Sequence, residues 1–230
     1  MSLRIGCDMD GVLADFARAY WDIEVRLFGP ADPPPPRTPD EERDAASRLD
    51  QEAPFATATQ LMSRRAKIWH DIKSTADFWE TLEPMEAGAV SRLHALSIQH
   101  RWEVFFITQR PATDGDTVQR QTQRWLIAQG FAMPSVLVVP GSRGAAGAAL
   151  SLHYHVDDSP SNCVDIKTSS RARPVLIVDP RDTDAATNAR SLGIATAPGI
   201  GAALDILDQA SAARARPRVL QQLAQMVGWK

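Results

Sequence analysis

Leu3-Arg4-Ile5-Gly6-Cys7-Asp8-Met9-Asp10-Gly11-Val12-Leu13-Ala14-Asp15-Phe16 decides how this chain folds. Leu3 to Cys7 is short, apolar and β-compatible, and it runs straight into two aspartates one residue apart, closed by a glycine. Phe16, Tyr20, Ile23 and Leu27 then recur at spacings that place them on one face of a helix, which Gly29-Pro30 ends. A strand whose carboxyl end carries acids and turns into a helix is the opening of an α/β fold.

Further along, the chain divides into two kinds of pattern. Pro33 to Pro36 are consecutive, so Pro30 to Pro39 reads as a stiff extended loop. Thr38, three residues before Glu41, is a capping box for a helix through about Leu49. Short helices are expected between Pro54 and Leu82, carrying Leu61, Met62, Ile68, Trp69, Ile72, Phe78 and Trp79. After Pro84, strands and helices alternate. Helices are expected over Ala89 to Gln99, Val118 to Gln129, Ala145 to Leu150, Gly201 to Gln209 and Arg218 to Met226. Strands are expected over Trp102 to Thr108, Val136 to Val139, His153 to Val156, Pro174 to Val178 and Ile194 to Ala197. The alternation implies a mostly parallel, doubly wound sheet with helices on both faces. Residues 17–82 lack it and read as a helical cap inserted after the first strand, over a core of 1–16 and 83–230.

Bulk composition removes several classes of function. The 230 residues are 44% hydrophobic and 23% charged, ordinary for a globular protein. A formal charge of -3 gives no global field for a nucleic-acid polymer, though a local basic pocket can still take a small anion. No apolar run approaches a membrane span, and the start of the chain lacks the apolar stretch of a signal peptide. Cys7 and Cys163 are too few for a disulfide framework and fit buried thiols in a reducing cytoplasm. A second copy of the chain is left open as a partner.

In a doubly wound sheet, ligands bind beyond the carboxyl ends of the strands. Asp8 and Asp10 follow the first expected strand, Thr108 ends the second, and Asp157 and Asp158 follow the fourth. Carboxylates converging on one rim repel unless a cation lies between them, and hard oxygen donors with a substrate phosphate favour Mg²⁺. An aspartate can attack phosphorus, and a second carboxylate can protonate the leaving oxygen and then activate water.

Asp8-Met9-Asp10-Gly11-Val12-Leu13 resembles the first motif of the haloacid dehalogenase superfamily of hydrolases. Ile107-Thr108 is similar to their second motif and Val156-Asp157-Asp158 to their fourth. The resemblance implies a magnesium-dependent phosphate-ester hydrolase. Asp8 would be nucleophile and metal ligand; Asp10 would be general acid/base, with its backbone carbonyl on the metal. Thr108 would hydrogen-bond a phosphate oxygen. Asp158 is the preferred direct ligand, with Asp157 nearby. The third motif departs from the pattern: no lysine lies between Lys73 and Lys167, and Arg143 in Gly141-Ser142-Arg143-Gly144 stands in the expected place. Arginine supplies the charge with a different geometry.

The opening through Phe16, together with Phe78-Trp79-Glu80-Thr81-Leu82-Glu83-Pro84, is similar to the 5′(3′)-deoxyribonucleotidases, while residues 28–60 match poorly. That resemblance implies a nucleobase pocket formed with Phe16 and Trp69, with cap packing as the competing role of each. Gln109 and Arg110 depart from the family's small polar residue after the threonine and are expected to face phosphate or sugar. Trp21, Phe78 and Trp79 are expected in the core, and Arg124 and Trp125 are read as structural. The substrate is then a small phosphorylated metabolite, a (deoxy)nucleoside monophosphate first. A sugar phosphate is the alternative, and a non-catalytic phosphate-binding protein is the reading from another class.

Overall fold

A computed structural model of the chain describes residues 2–29 and 55–226, with side chains placed in 2–29 and 63–214. Six strands, β1 (Arg4–Cys7), β2 (Glu103–Thr108), β3 (Ser135–Val138), β4 (Tyr154–Asp157), β5 (Arg173–Ile177) and β6 (Ala195–Ala197), form one sheet in the order β3-β2-β1-β4-β5-β6. Every strand pair is parallel, as strands joined by helical crossovers must be. Between β1 and β2 come α1 (Phe16–Phe28), α2 (Phe55–Ser74), a 3₁₀ turn (Phe78–Glu80) and α3 (Ala89–His100). The remaining crossovers are α4 (Val118–Ala128), α5 (Arg143–Ala149), α6 (Pro160–Ser169) and α7 (Thr183–Ser191), and α8 (Ile200–Met226) follows β6.

Strand order reverses between β1 and β4, which opens a crevice beyond their carboxyl ends. Helix starts are set by side-chain caps: Asp15, Thr117, Ser142, Ser159 and Asp182 each accept from the N–H three residues on. Asp15, Ser142 and Ser159 thereby fix where the chain turns away from the rim of the crevice.

The apolar core runs without interruption from the sheet (Ile5, Cys7, Phe106, Val156) through Met9 and Leu13 to Phe16, Ile68, Ile72, Phe78 and Trp79. Entry to and exit from the 17–82 stretch lie side by side. The Asp15 N–H donates to the Glu83 carbonyl at 2.8 Å, and the Met85 N–H to the Leu13 carbonyl at 2.8 Å. Trp125 is buried and its indole N–H donates to the Leu82 carbonyl at 2.7 Å. Arg124 ties Glu80 and Asp116 across the same joint. Both therefore hold the joint together, as their structural reading required.

Some expectations need correction. α2 is one helix of 20 residues rather than several short ones, because it holds no glycine or proline between Phe55 and Ser74 and half of its residues are strong helix formers. α8 likewise runs unbroken over 27 residues where two helices were expected. On α1, Phe16, Tyr20 and Ile23 are buried, but Leu27 is 38% exposed and Trp21 44% exposed. The buried stripe is only two turns long, and Trp21 sits about 100° round the helix from Tyr20. The proline-rich loop, the Thr38 capping box with its helix, and the side chains of Leu61 and Met62 lie outside the described residues.

Candidate active site

Asp8 leaves β1 with its N–H donating to the Val156 carbonyl at 2.9 Å, which sets it beside the end of β4. The next residues make a tight loop: Leu13 and Ala14 both donate to the Met9 carbonyl (2.9 and 2.8 Å), and Gly11 donates to that of Ala14 (3.0 Å). Gly11 has φ +78°, and a Cβ there would come 2.0 Å from Asp158 Oδ2. Glycine is needed both for the backbone conformation and for the room it leaves Asp158.

Asp8, Asp157 and Asp158 can each present an oxygen with all three atoms within 4.8 Å of one another. Burial raises the Asp8 carboxyl well above the ordinary carboxylate range, the neighbouring Asp157 charge raises it further, and Arg143 acts in the opposite sense. Asp157 is completely buried and well supplied with donors: Ser159 N–H at 2.9 Å, Asn162 Nδ2 at 3.1 Å and His155 Nε2 at 2.8 Å. Asp158 is half-buried and lines the crevice. Three carboxylates gathered within 4.8 Å repel one another, and the donors are hard oxygens. The residues present therefore fit a divalent cation such as Mg²⁺.

Arg143 is the first residue of α5, and the start of that helix is pinned. Asp165 accepts from the Gly144 N–H (2.8 Å) and the hydroxyls of Ser142 (2.7 Å) and Ser169 (2.9 Å). Those donors, the Gly144 N–H first, hold its carboxyl below the usual range. The Arg143 guanidinium is thereby delivered to Asp8, Nη2 to Oδ1 3.0 Å, with Nη1 3.2 Å from the Val139 carbonyl. Its buried Nε has no hydrogen-bond partner among the described residues. A buried donor without an acceptor is costly and points to a ligand oxygen.

Thr108, 1% exposed, ends β2 and lines the same crevice. Gln109 is exposed, and its side-chain amide donates to the Pro140 carbonyl at 3.2 Å. Arg110 also lines the crevice, but its guanidinium is forked onto Asp10: Nε lies 3.1 and 3.0 Å from the two oxygens and Nη2 2.6 Å from Oδ1. Its Nη1 donates to Thr122 Oγ1 at 3.1 Å, and its Cζ sits 4.7 Å from the centroid of the Trp79 ring. Arg110 was expected to face phosphate or sugar; its guanidinium instead faces the Asp10 carboxylate, which lies outside the acidic trio.

The crevice encloses about 410 Å³. α2 contributes Arg65, Trp69 and Lys73 to its lining. Phe16 and Trp69 both reach it, stacked on each other at 5.7 Å with planes 28° apart, and Phe16 is only 4% exposed. A flat ligand can meet the open side of Trp69 but cannot enter between the two rings. Arg65, Lys73, Trp79, Ser159 and Asn162 were not singled out from sequence as site residues; the Arg65–Trp69–Lys73 spacing of four was the available signal.

Fold and site together define an α/β protein with an acid-lined ligand crevice at the reversal point of its sheet. No family model matches the sequence, and no curated protein matches it. Solved structures do match. A Thermotoga maritima protein assigned as a β-phosphoglucomutase superposes with a TM-score of 0.53 at 18% identity, over 90% of this chain and 99% of that one. A hydrolase from Pseudomonas syringae gives 0.51 at 12% identity, over 91% and 99%. A haloacid dehalogenase-like hydrolase of Streptococcus pneumoniae is a weaker match, 0.47 at 11% identity over 77% and 85%. At such identities the likeness shows the fold, which is the haloacid dehalogenase-like α/β fold. No described helix is long and apolar enough to cross a membrane.

Proposed function

We propose that this chain is a magnesium-dependent phosphomonoesterase for a small phosphorylated metabolite, with a (deoxy)nucleoside monophosphate as the first candidate. The observation that carries the reading is the buried Asp8 carboxylate, gathered with Asp157 and Asp158 and touched by Arg143 at the reversal point of the sheet. In this reading 17–82 is a cap over a core of 1–16 and 83–230.

An Asp8 oxygen attacks the phosphorus, forming an aspartyl-phosphate as the bond to the leaving alcohol breaks. Asp10 gives its proton to the leaving oxygen, then takes one from the water that cleaves the aspartyl-phosphate. Thr108 and the unpartnered Nε of Arg143 donate to phosphoryl oxygens. Asp8, Asp158 and the Asp10 carbonyl would hold Mg²⁺, with Asp157 orienting the group from behind. When bound, the ion offsets the negative charge of carboxylate and phosphate. Gln109 lies at the mouth, where it meets the part of the substrate beyond the phosphate. Two buried cysteines, Cys7 and Cys163, suit a reducing cytoplasm.

Magnesium-dependent release of phosphate from p-nitrophenyl phosphate tests the reading. Asp8→Asn should lower kcat by at least about a thousandfold. A wild-type protein that binds phosphate without turning it over would favour the non-catalytic alternative. The closed Phe16–Trp69 stack favours examining sugar phosphates beside nucleotides. With a base resting on Trp69, Trp69→Ala should raise KM for nucleotides far more than for p-nitrophenyl phosphate; equal effects would remove the base pocket.

A further inference from the structure

The proposed chemistry leaves the histidine of β4 without a part. Side chains alternate along a strand, so His155 and Asp157 stand on one face of β4 and Tyr154 and Val156 on the other. His155 is completely buried, and its ring lies along that face with Nε2 2.8 Å from Asp157 Oδ2. Room for the ring is made in the neighbouring strand. Gly6 of β1 pairs with His155, and a Cβ there would come 2.4 Å from Nδ1. Glycine inside a central strand weakens it and marks a close approach; here the imidazole is what approaches. The same Cβ would lie 2.6 Å from Leu152 Cδ1, so Nδ1 is turned toward an apolar side chain, and it has no hydrogen-bond partner among the described residues. The ring is aimed at Asp157.

We infer that His155 is a positioning residue for the metal site: it holds the Asp157 carboxylate in the orientation the ion requires, without touching ion or substrate. The inference rests on the metal-binding part of the phosphomonoesterase reading and adds a residue to it. Asp157 Oδ1 accepts from the Ser159 N–H (2.9 Å) and from Asn162 Nδ2 (3.1 Å), at the cap and first turn of α6. Oδ2 accepts from His155 and, at 3.3 Å, from the same Asn162 amide. Without His155, Oδ2 keeps the longer, shared contact, and the carboxylate loses its hold on the β4 side. Oxygens of Asp8, Asp157 and Asp158 lie within 4.8 Å of one another, and Mg²⁺ demands near-ideal octahedral geometry. A turn of one member of the trio is therefore felt by the ion. Losing a hydrogen-bond partner behind a metal site costs on the order of tenfold to a hundredfold in metal affinity.

Titration calorimetry with Mg²⁺ alone, on full-length protein stripped of metal by chelator and dialysis, reads Kd without any turnover. His155→Met keeps the volume and loses the donor, and should weaken Mg²⁺ binding by about tenfold or more. His155→Gln keeps an N–H at the same reach and should recover most of that affinity. Gly6→Ala leaves the histidine in place but drives its ring off the seat, and should weaken Mg²⁺ as well; it carries the test if the methionine variant does not fold. Tm measured in chelator reads packing alone, so a residue that only fills the core lowers that Tm and leaves Kd where it was. An unchanged Kd in His155→Met, or a glutamine variant as weak as the methionine one, overturns the inference and leaves the metal site and the phosphatase standing. A folded Gly6→Ala protein that binds Mg²⁺ as tightly as wild type also overturns it. Wild-type protein that takes up no Mg²⁺ removes the magnesium-dependent reading and this inference with it.

Discussion

Arg110 has a side chain sealed from solvent, forked onto Asp10, bonded to Thr122 and seated over Trp79. Such a guanidinium fixes where the Asp10 carboxylate can be. Lysine at this position keeps the charge but loses the fork and the stack. Arg110→Lys should therefore lower kcat by about tenfold or more with little change in KM, measured on p-nitrophenyl phosphate. Arg110→Ala strands a carboxylate and opens a cavity, and should cost about 3–5 kcal/mol in denaturant unfolding. Gly11 gives the complementary test, since any Cβ there strikes Asp158 Oδ2. Gly11→Ala should raise the magnesium concentration needed for half-maximal activity, because the carboxylate it displaces is the proposed ligand. None of these contacts was legible in the sequence. Arg110 and Asp10 are 100 positions apart, and no spacing rule joins a residue on one strand end to a carboxylate on another.

Among the elements, the start of α5 is the one whose disturbance should reach the chemistry. Asp165, on α6, holds three donors at or beside that helix start and so aims Arg143 at Asp8. Asp165→Ala should cost about 1–2 kcal/mol, as loss of a capping carboxylate does, and should lower kcat/KM through a loosened Arg143. Because the Asp165 carboxyl is held below its ordinary range, its stabilisation is present above that range and is lost as pH falls through its lowered value. The strands after Pro84 and the helices α3, α4 and α5 were legible to within about two residues, because proline, glycine and polar caps punctuate them; α6 (Pro160–Ser169) and α7 (Thr183–Ser191) were not anticipated. The helices α2 and α8 were split too finely: a mixed polar face gives no clear period, and a helix can continue where its apolar stripe fades. The acids at the strand ends were legible because a parallel sheet brings its carboxyl termini to one side. Of the α2 residues that line the crevice only Trp69 was named from sequence; Arg65 and Lys73 were not, since which face of an inserted helix meets a ligand is settled by packing.

For the molecule as a whole, the gathered carboxylates link folding to pH and, under the proposed function, to metal. With the folded Asp8 carboxyl raised, its contribution to stability is fully present below the ordinary carboxylate range and is lost as pH rises through the raised value. His153 acts the other way: burial lowers it from 6.5, so its contribution is kept above the ordinary histidine range and lost on acidification. These opposed terms make the pH profile of the metal-free protein a poor readout, whereas the gain on adding Mg²⁺ isolates the acidic trio. That gain should approach about 2–3 kcal/mol at a hundredfold excess over Kd, or roughly 5–10 °C in Tm. It should be larger near neutral pH than at about pH 5, where protons compete for Asp8. A Tm insensitive to Mg²⁺ at both pH values would argue against metal at these residues.

The parallel pairing of β1 with β4 has a further consequence during biosynthesis. β1 carries the proposed nucleophile, yet its acidic companions lie about 150 positions downstream, on the far side of three intervening crossovers. A nascent polypeptide arrested before Tyr154 should carry the first motif intact yet lack the proposed activity, which should arrive only after Asp158 and the following helix bearing Asp165, which positions Arg143, have emerged and packed.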